Sequence, residues 1–197
     1  MILRSPSPQR TSYNREIHHR RSVRLKGYDY SLAGAYFVTV CTQNRACVFG
    51  EIKDGKMETN DAGRMVARWW SELNHKFPTV KTDESIVMPN HFHGIVIIGY
   101  PDPVGAALRG RPPKTGHPHR GAPTLGDIVD WFKTMTTNDY IRGIKQRRWP
   151  PLEKRLWQRN YYERVVRDDS EMHRVREYVT GNPAGWLEDE ENLVHHS

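Results

Sequence analysis

Between His91 and Gly99 the chain reads HFHGIVIIG, a run without a single charged residue. A strand points successive side chains to opposite faces, so His91, His93, Ile95 and Ile97 share one face and Phe92, Val96 and Ile98 the other. A short strand with apolar side chains on both faces is a buried, central one, which commits the chain to a sheet. It is also far shorter than the ~18–20 apolar residues that cross a membrane, and no other run comes nearer. The two histidines at its entrance need an explanation, because a polar group at the edge of a core costs free energy unless it is hydrogen-bonded or ligated. Same-face imidazoles can hold one divalent ion, but they can equally be a hydrogen-bonded pair at a strand end. Spacing does not decide this: ten histidines in 197 residues give about half a His-x-His match by chance. His117 and His119 repeat the spacing inside a proline-rich stretch.

The rest of the chain supplies partners for that strand. GAYFVTVCT (Gly34–Thr42) is β-branched and aromatic, and CVFGEI (Cys47–Ile52) reads as its hairpin partner. Asn60–Leu73 opens on a capping residue and repeats Met65, Val66, Trp69, Trp70 and Leu73 at helical spacing. ESIVMP (Glu84–Pro89) is a strand before His91, and Thr124–Tyr140 is a second amphipathic helix. Leu156–Val166 is strand-like and basic, and Asp168–Pro183 is a last helix with an acidic start and a Gly-Asn-Pro stop. This order predicts one α+β domain over residues 25–187, with the helices on one face of an antiparallel sheet. Residues 1–24 read as a flexible basic arm, 100–123 as a mobile glycine- and proline-rich loop, and 188–197 as an acidic tail. Two cysteines are too few for a disulfide scaffold, and Cys41 and Cys47 both read as buried reduced thiols. With no apolar core of a signal peptide at the N-terminus, the chain reads as cytoplasmic.

A formal charge of +7 and a pI near 9.5 suit an anionic partner. The charge is uneven: Arg142–Arg167 holds nine Arg and Lys against Glu163 and Glu153. Within it Arg147, Arg148, Lys154, Arg155 and Arg159 stand among Trp149, Trp157, Tyr161 and Tyr162, a mixture suited to phosphate contact and base stacking on single strands. A strand with aromatic core residues and a solvated basic edge explains part of the same pattern. On the last helix Arg174, Tyr178 and Asn182 recur every four residues, beside an apolar stripe of Met172, Val175 and Val179. That places the Tyr178 hydroxyl at a helix–sheet seam. It also leaves Tyr178 an ordinary half-buried tyrosine and Asn182 an ordinary helix stop.

Taken together, GAYFVTVCTQNRACVFGEI, VMPNHFHGIV, PTLGDIV…FKT, WQRNYYERVVRD and REYVTGNPAGW resemble, in order, the REP-associated tyrosine transposases, relatives of the single-tyrosine transposases with a His-hydrophobic-His motif. The resemblance runs from about Arg24 to Trp186. It implies a ferredoxin-like antiparallel sheet with helices packed on it, and an endonuclease and strand transferase acting on single-stranded or hairpin DNA. It implies that His91 and His93 hold a divalent ion, Mg2+ or Mn2+, with Asn182 as a further ligand and Asp83 or Glu84 within possible reach. It implies that Tyr178 is the nucleophile of a 5′-phosphotyrosine intermediate, with Arg147, Arg148, Lys154, Arg155, Arg159 and Tyr161 available to DNA. Assembly as a homodimer is common among the wider relatives. No P-loop pattern occurs, consistent with bond energy being kept in the covalent link. Two other classes stay open: a non-catalytic nucleic-acid-binding module of similar topology, and a metal-dependent phosphodiesterase that uses water.

Overall fold

The computed structural model describes residues 32–99 and 123–188; the basic arm, the loop at 100–122 with His117 and His119, and the tail from 189 lie outside them. The chain runs β1 (Gly34–Cys41), a short 3-10 turn (Gln43–Arg45), β2 (Gly50–Lys53), β3 (Lys56–Thr59), α1 (Asp61–Ser71) and α2 (Leu73–Lys76). It continues through β4 (Val80–Val87), β5 (His91–Ile98), α3 (Leu125–Arg147), β6 (Tyr162–Val166), α4 (Asp169–Gly181) and a 3-10 segment (Asn182–Glu188). The main sheet has the order β4-β5-β1-β6 and every pair is antiparallel. This is the interleaved ferredoxin-like order, with the apolar β5 central as its sequence demands.

The two faces of β5 and β1 belong to two separate cores. Tyr36, Val38, Val40, Phe92, Val96 and Ile98 face α1 and α3 in the larger core, where Trp70, Phe92 and Phe132 pack ring against ring at 4.7–5.2 Å. Gly94 lies beneath the Trp70 indole, and a Cβ there would come within 2.6 Å of it. Ile95, with Ala35, Phe37 and Ile86, faces Val175, Val179 and Met172 of α4. The helices therefore cover both faces, not one as their order alone predicts.

Local chemistry sets the helix ends. Asn60 Oδ1 accepts from Gly63 N at 3.0 Å to start α1, and Thr124 and Asp127 form a reciprocal capping box that starts α3. Helix α3 runs two turns past its expected end at Tyr140, because Gly143 makes room for Trp149 to fold back onto it: a Cβ at 143 would lie 2.1 Å from the indole. Left-handed Arg148 then closes the helix. Buried Asp139 sits between α1 and α3, accepting from Trp69 Nε1 at 2.9 Å and Arg68 Nη2 at 2.5 Å.

Three expectations shift. The Cys47–Ile52 segment does not pair with β1: β2 pairs with β3 across Asp54-Gly55, whose φ angles of 49° and 69° are those of a tight primed turn. Because β2 begins only at Gly50, Cys47 lies in the preceding loop and is exposed, while Cys41 on β1 is buried. The basic strand is limited to β6; Leu156–Tyr161 is irregular, joined to the end of β1 by a bridge from Trp157 to Thr42.

Candidate active site

The entrance of β5 holds both histidines almost wholly buried, on the face turned toward α4. Their ring centroids are 4.4 Å apart and the planes meet at 68°. Each Nδ1 is engaged: His91 with Asn90 Oδ1 at 2.8 Å, and His93 with Thr39 Oγ1, its register partner on β1, at 2.8 Å. Nε2 is thus the atom each ring would present to an ion, and a partner on the other nitrogen is what fixes a ligating imidazole. Burial, followed by the charge of Arg45, pushes the His91 imidazole down to about 3, against a smaller opposing effect of a hydrogen bond with Asn182. The ring is therefore neutral at ordinary pH, the form that ligates metal.

This shift has a consequence for stability. Between pH 6.5 and about 3 the unfolded chain protonates His91 and the folded one does not, so protons favour unfolding. Metal-free protein in EDTA is expected to lose about 1.4 kcal/mol per pH unit below 6.5 from this group. Urea midpoints at pH 7, 6 and 5 measure it, and His91→Gln should flatten the slope.

Helix α4 brings the second half of the site. Asp168 caps it by accepting from Glu171 N at 2.7 Å, and buried Glu171 accepts from Arg167 N at 2.9 Å and pairs with Arg164 of β6 at 2.5 Å. On the other side β4 changes register between Thr82 and Ser85, a bulge that carries Asp83 toward α4. Asp83 there accepts two hydrogen bonds from Arg176, at 2.7 and 2.6 Å. The pair holds the Asp83 carboxyl below the usual carboxylate range. So fixed, α4 lays the Tyr178 ring edge-on to His93 at 5.3 Å and to Phe37 at 5.9 Å, with half of the residue open to solvent. One turn later Asn182 is buried and bonded to His91; the chain does not stop there but winds on as 3-10 helix to Trp186, buried with its ring 5.9 Å from that of His91.

His91, His93, Asn182 and Tyr178 therefore meet at one place. Asp83 is committed to Arg176, and among the described residues no third His, Cys, Asp or Glu joins the pair. The basic residues divide. Gln158 N donates to Cys41 O at 2.9 Å, and Cys41 is the register partner of His91, so Arg155 and Arg159 stand exposed at the histidine end of the sheet. Arg147 stacks on Trp149 at 5.2 Å and lines a groove on the α1–α3 layer, the opposite face; exposed Arg148 and Lys154 follow it. Tyr161 is half-buried against the larger core, whereas exposed Tyr162 stands opposite Thr39, in the same cross-strand row as His93.

Arg45 is the site residue that sequence patterns do not single out. Asn44 and Arg45 both adopt left-handed backbone, φ 55° and 52°, which for a non-glycine residue costs about 1–2 kcal/mol. Tertiary bonds hold the turn: Thr42 Oγ1 donates to Asn90 O at 2.8 Å, and Asn90 Nδ2 donates to Arg45 O at 3.2 Å. Asn90 thus ties Arg45 and His91 to one side chain.

No family model matches the chain. An uncharacterized protein of Haemophilus influenzae Rd is 38% identical over 184 residues, covering 91% of this chain and 97% of that protein. Among solved structures, a REP-associated tyrosine transposase bound to a REP hairpin superposes with a TM-score of 0.50 at 16% identity, over 84% of this chain and 72% of that one. A candidate transposase of Deinococcus radiodurans R1 gives a TM-score of 0.43 at 15% identity, over 80% of this chain and 95% of its own. The chain belongs to one family with the Haemophilus influenzae protein, and its fold is that of a REP-associated tyrosine transposase.

Proposed function

We propose that the protein nicks single-stranded DNA beside hairpins and rejoins it, through a 5′-phosphotyrosine on Tyr178. The observation that carries this reading is the Tyr178 ring against His93 with half the residue still reachable from solvent. A nucleophile for DNA must be both next to a phosphate-binding group and open to the strand. The hairpin bound to the structural neighbour supports the same substrate here, as do Arg155 and Arg159 at the histidine end of the sheet.

The donor set fits a divalent ion: two neutral imidazoles whose Nδ1 atoms are engaged, and the amide of Asn182 beside them. His91, His93 and Asn182 would hold it, and Mg2+ or Mn2+ there would supply Lewis-acid polarisation of the scissile phosphate. With no carboxylate among these donors, the ion's full charge would be left for the phosphate. The chain's own residues do the rest. Thr39 and Asn90 orient the rings, while Arg176 and Glu171 hold α4 in register with them. Tyr178 Oη loses its proton to solvent and bonds to phosphorus as the P–O3′ bond breaks. The departing oxygen becomes a free 3′-hydroxyl, and attack by another 3′-hydroxyl reverses the step without ATP.

The test is a denaturing gel of protein with a labelled hairpin oligonucleotide bearing single-stranded flanks, taken from DNA around its own gene. A slower, protease-sensitive adduct should form with Mn2+ and not with EDTA. Free ends without an adduct would assign the chemistry to water, and no cleavage of any such oligonucleotide would leave a binding module.

A further inference from the structure

We infer that Arg45 is a further catalytic residue, donating from its guanidinium to the scissile phosphodiester on the side of the departing 3′-oxygen. The inference rests on Tyr178 being the nucleophile and adds what stands across from it. Along β5 the order is unambiguous. Tyr178 lies against His93 and against Phe37, the register partner of Ile95, so it sits toward the interior of the strand. Asn90 and Arg45 lie beyond His91, at the strand's entrance. The two residues flank the imidazole pair from opposite ends. In a phosphoryl transfer the attacking and leaving oxygens are roughly in line through phosphorus. With Tyr178 Oη bonding to phosphorus at one end, the P–O3′ bond breaks toward the other, and its electron pair collects on O3′ before solvent protonates it. A guanidinium at that end meets the charge where it develops. Its five donors leave room for a phosphate beside whatever the side chain already contacts.

The backbone argues in the same direction. Arg45 is held in its left-handed conformation by buried Asn90, whose Nδ2 donates to Arg45 O while its Oδ1 meets His91 Nδ1, so the turn is anchored to the imidazole at the strand's entrance.

The backbone supplies the test variant. Arg45→Gly removes the guanidinium while suiting the left-handed conformation, so the protein should fold with an unchanged or higher thermal midpoint. Full-length wild type, Arg45→Gly and Arg45→Lys are compared on two hairpin substrates, one with the natural 3′-oxygen and one with sulfur at that bridging position. Single-turnover adduct formation by Arg45→Gly should fall about 10²-fold or more on the oxygen substrate, with Arg45→Lys between. The sulfur substrate, whose leaving thiolate needs little stabilisation, should recover most of the loss. Mn2+ affinity measured calorimetrically without DNA should be unchanged or tighter. Adduct formation within about threefold of wild type, an equal loss on both substrates, or Mn2+ affinity lost in step with rate would each overturn the inference while leaving Tyr178 in place. A wild type that forms no adduct would instead overturn the nucleophile assignment, and this inference with it.

Discussion

Tyr178→Phe should abolish the covalent adduct and cut strand cleavage by at least about 10³-fold, while hairpin affinity changes by no more than about threefold. The substitution removes one oxygen and keeps the ring that packs edge-on to His93 and Phe37. Because half of Tyr178 is exposed and the ring is kept, the substitution opens no cavity in the core, and the thermal midpoint should hold. A free phenol has a pKa near ~10 and is a weak nucleophile at neutral pH, so little background reaction is expected from tyrosines outside the site. Tyr162 is the informative control, being exposed and in the same cross-strand row as His93. Tyr162→Phe should leave the adduct intact. Covalent product from Tyr178→Phe would move the nucleophile to another residue.

His91→Ala and His93→Ala should each reduce metal-dependent cleavage by about 10²-fold or more and abolish measurable Mn2+ binding, because either leaves one imidazole where two are needed. Calorimetry with Mn2+ checks binding apart from turnover. Both rings are buried, so truncation also opens a cavity, and the more nearly isosteric Gln variants guard against misreading a folding defect. Thr39→Val tests orientation alone: it deletes the Oγ1 contact to His93 Nδ1, and a loss of about 10–100-fold is the expected size for such a partner. Normal cleavage by either Ala variant would end the ligand assignment.

How far these residues could be read from sequence depended on whether the signal was local. Alternation along β5 put His91 and His93 on one face, and helical spacing put Tyr178 and Asn182 together; both are properties of one element. The order of elements alone gave an antiparallel α+β sheet, and the ferredoxin-like arrangement came only from the family resemblance that the motifs carry. The β2–β3 hairpin had a local mark in Asp54-Gly55, but an apolar Cys47–Phe49 drew the expected strand forward and hid the turn. The second helical layer was implicit in β5 itself, since a strand apolar on both faces needs a cover on each, here α1 and α3 against α4. Arg45 had no local mark at all. Its position follows from a turn after β1 meeting Asn90 before β5, a contact spanning 45 residues. The same holds for Trp186, which reaches His91 only because the chain continues past Asn182 as 3-10 helix.

The two cores also divide the site thermodynamically. β5 is pinned by both, and its far face, Phe92, Val96 and Ile98, is shut off from solvent inside the larger one. Exposing the imidazole pair by breaking that strand therefore approaches the cost of unfolding the domain. Helix α4 is held by the burial of Val175 and Val179, of order 3–6 kcal/mol, and by two ion pairs that water partly screens. The nucleophile and Asn182 thus ride on a unit that can open on its own, over a pair of imidazoles whose strand cannot. In hydrogen exchange, amides of α4 should report a sub-global opening, and those of β5 the global one.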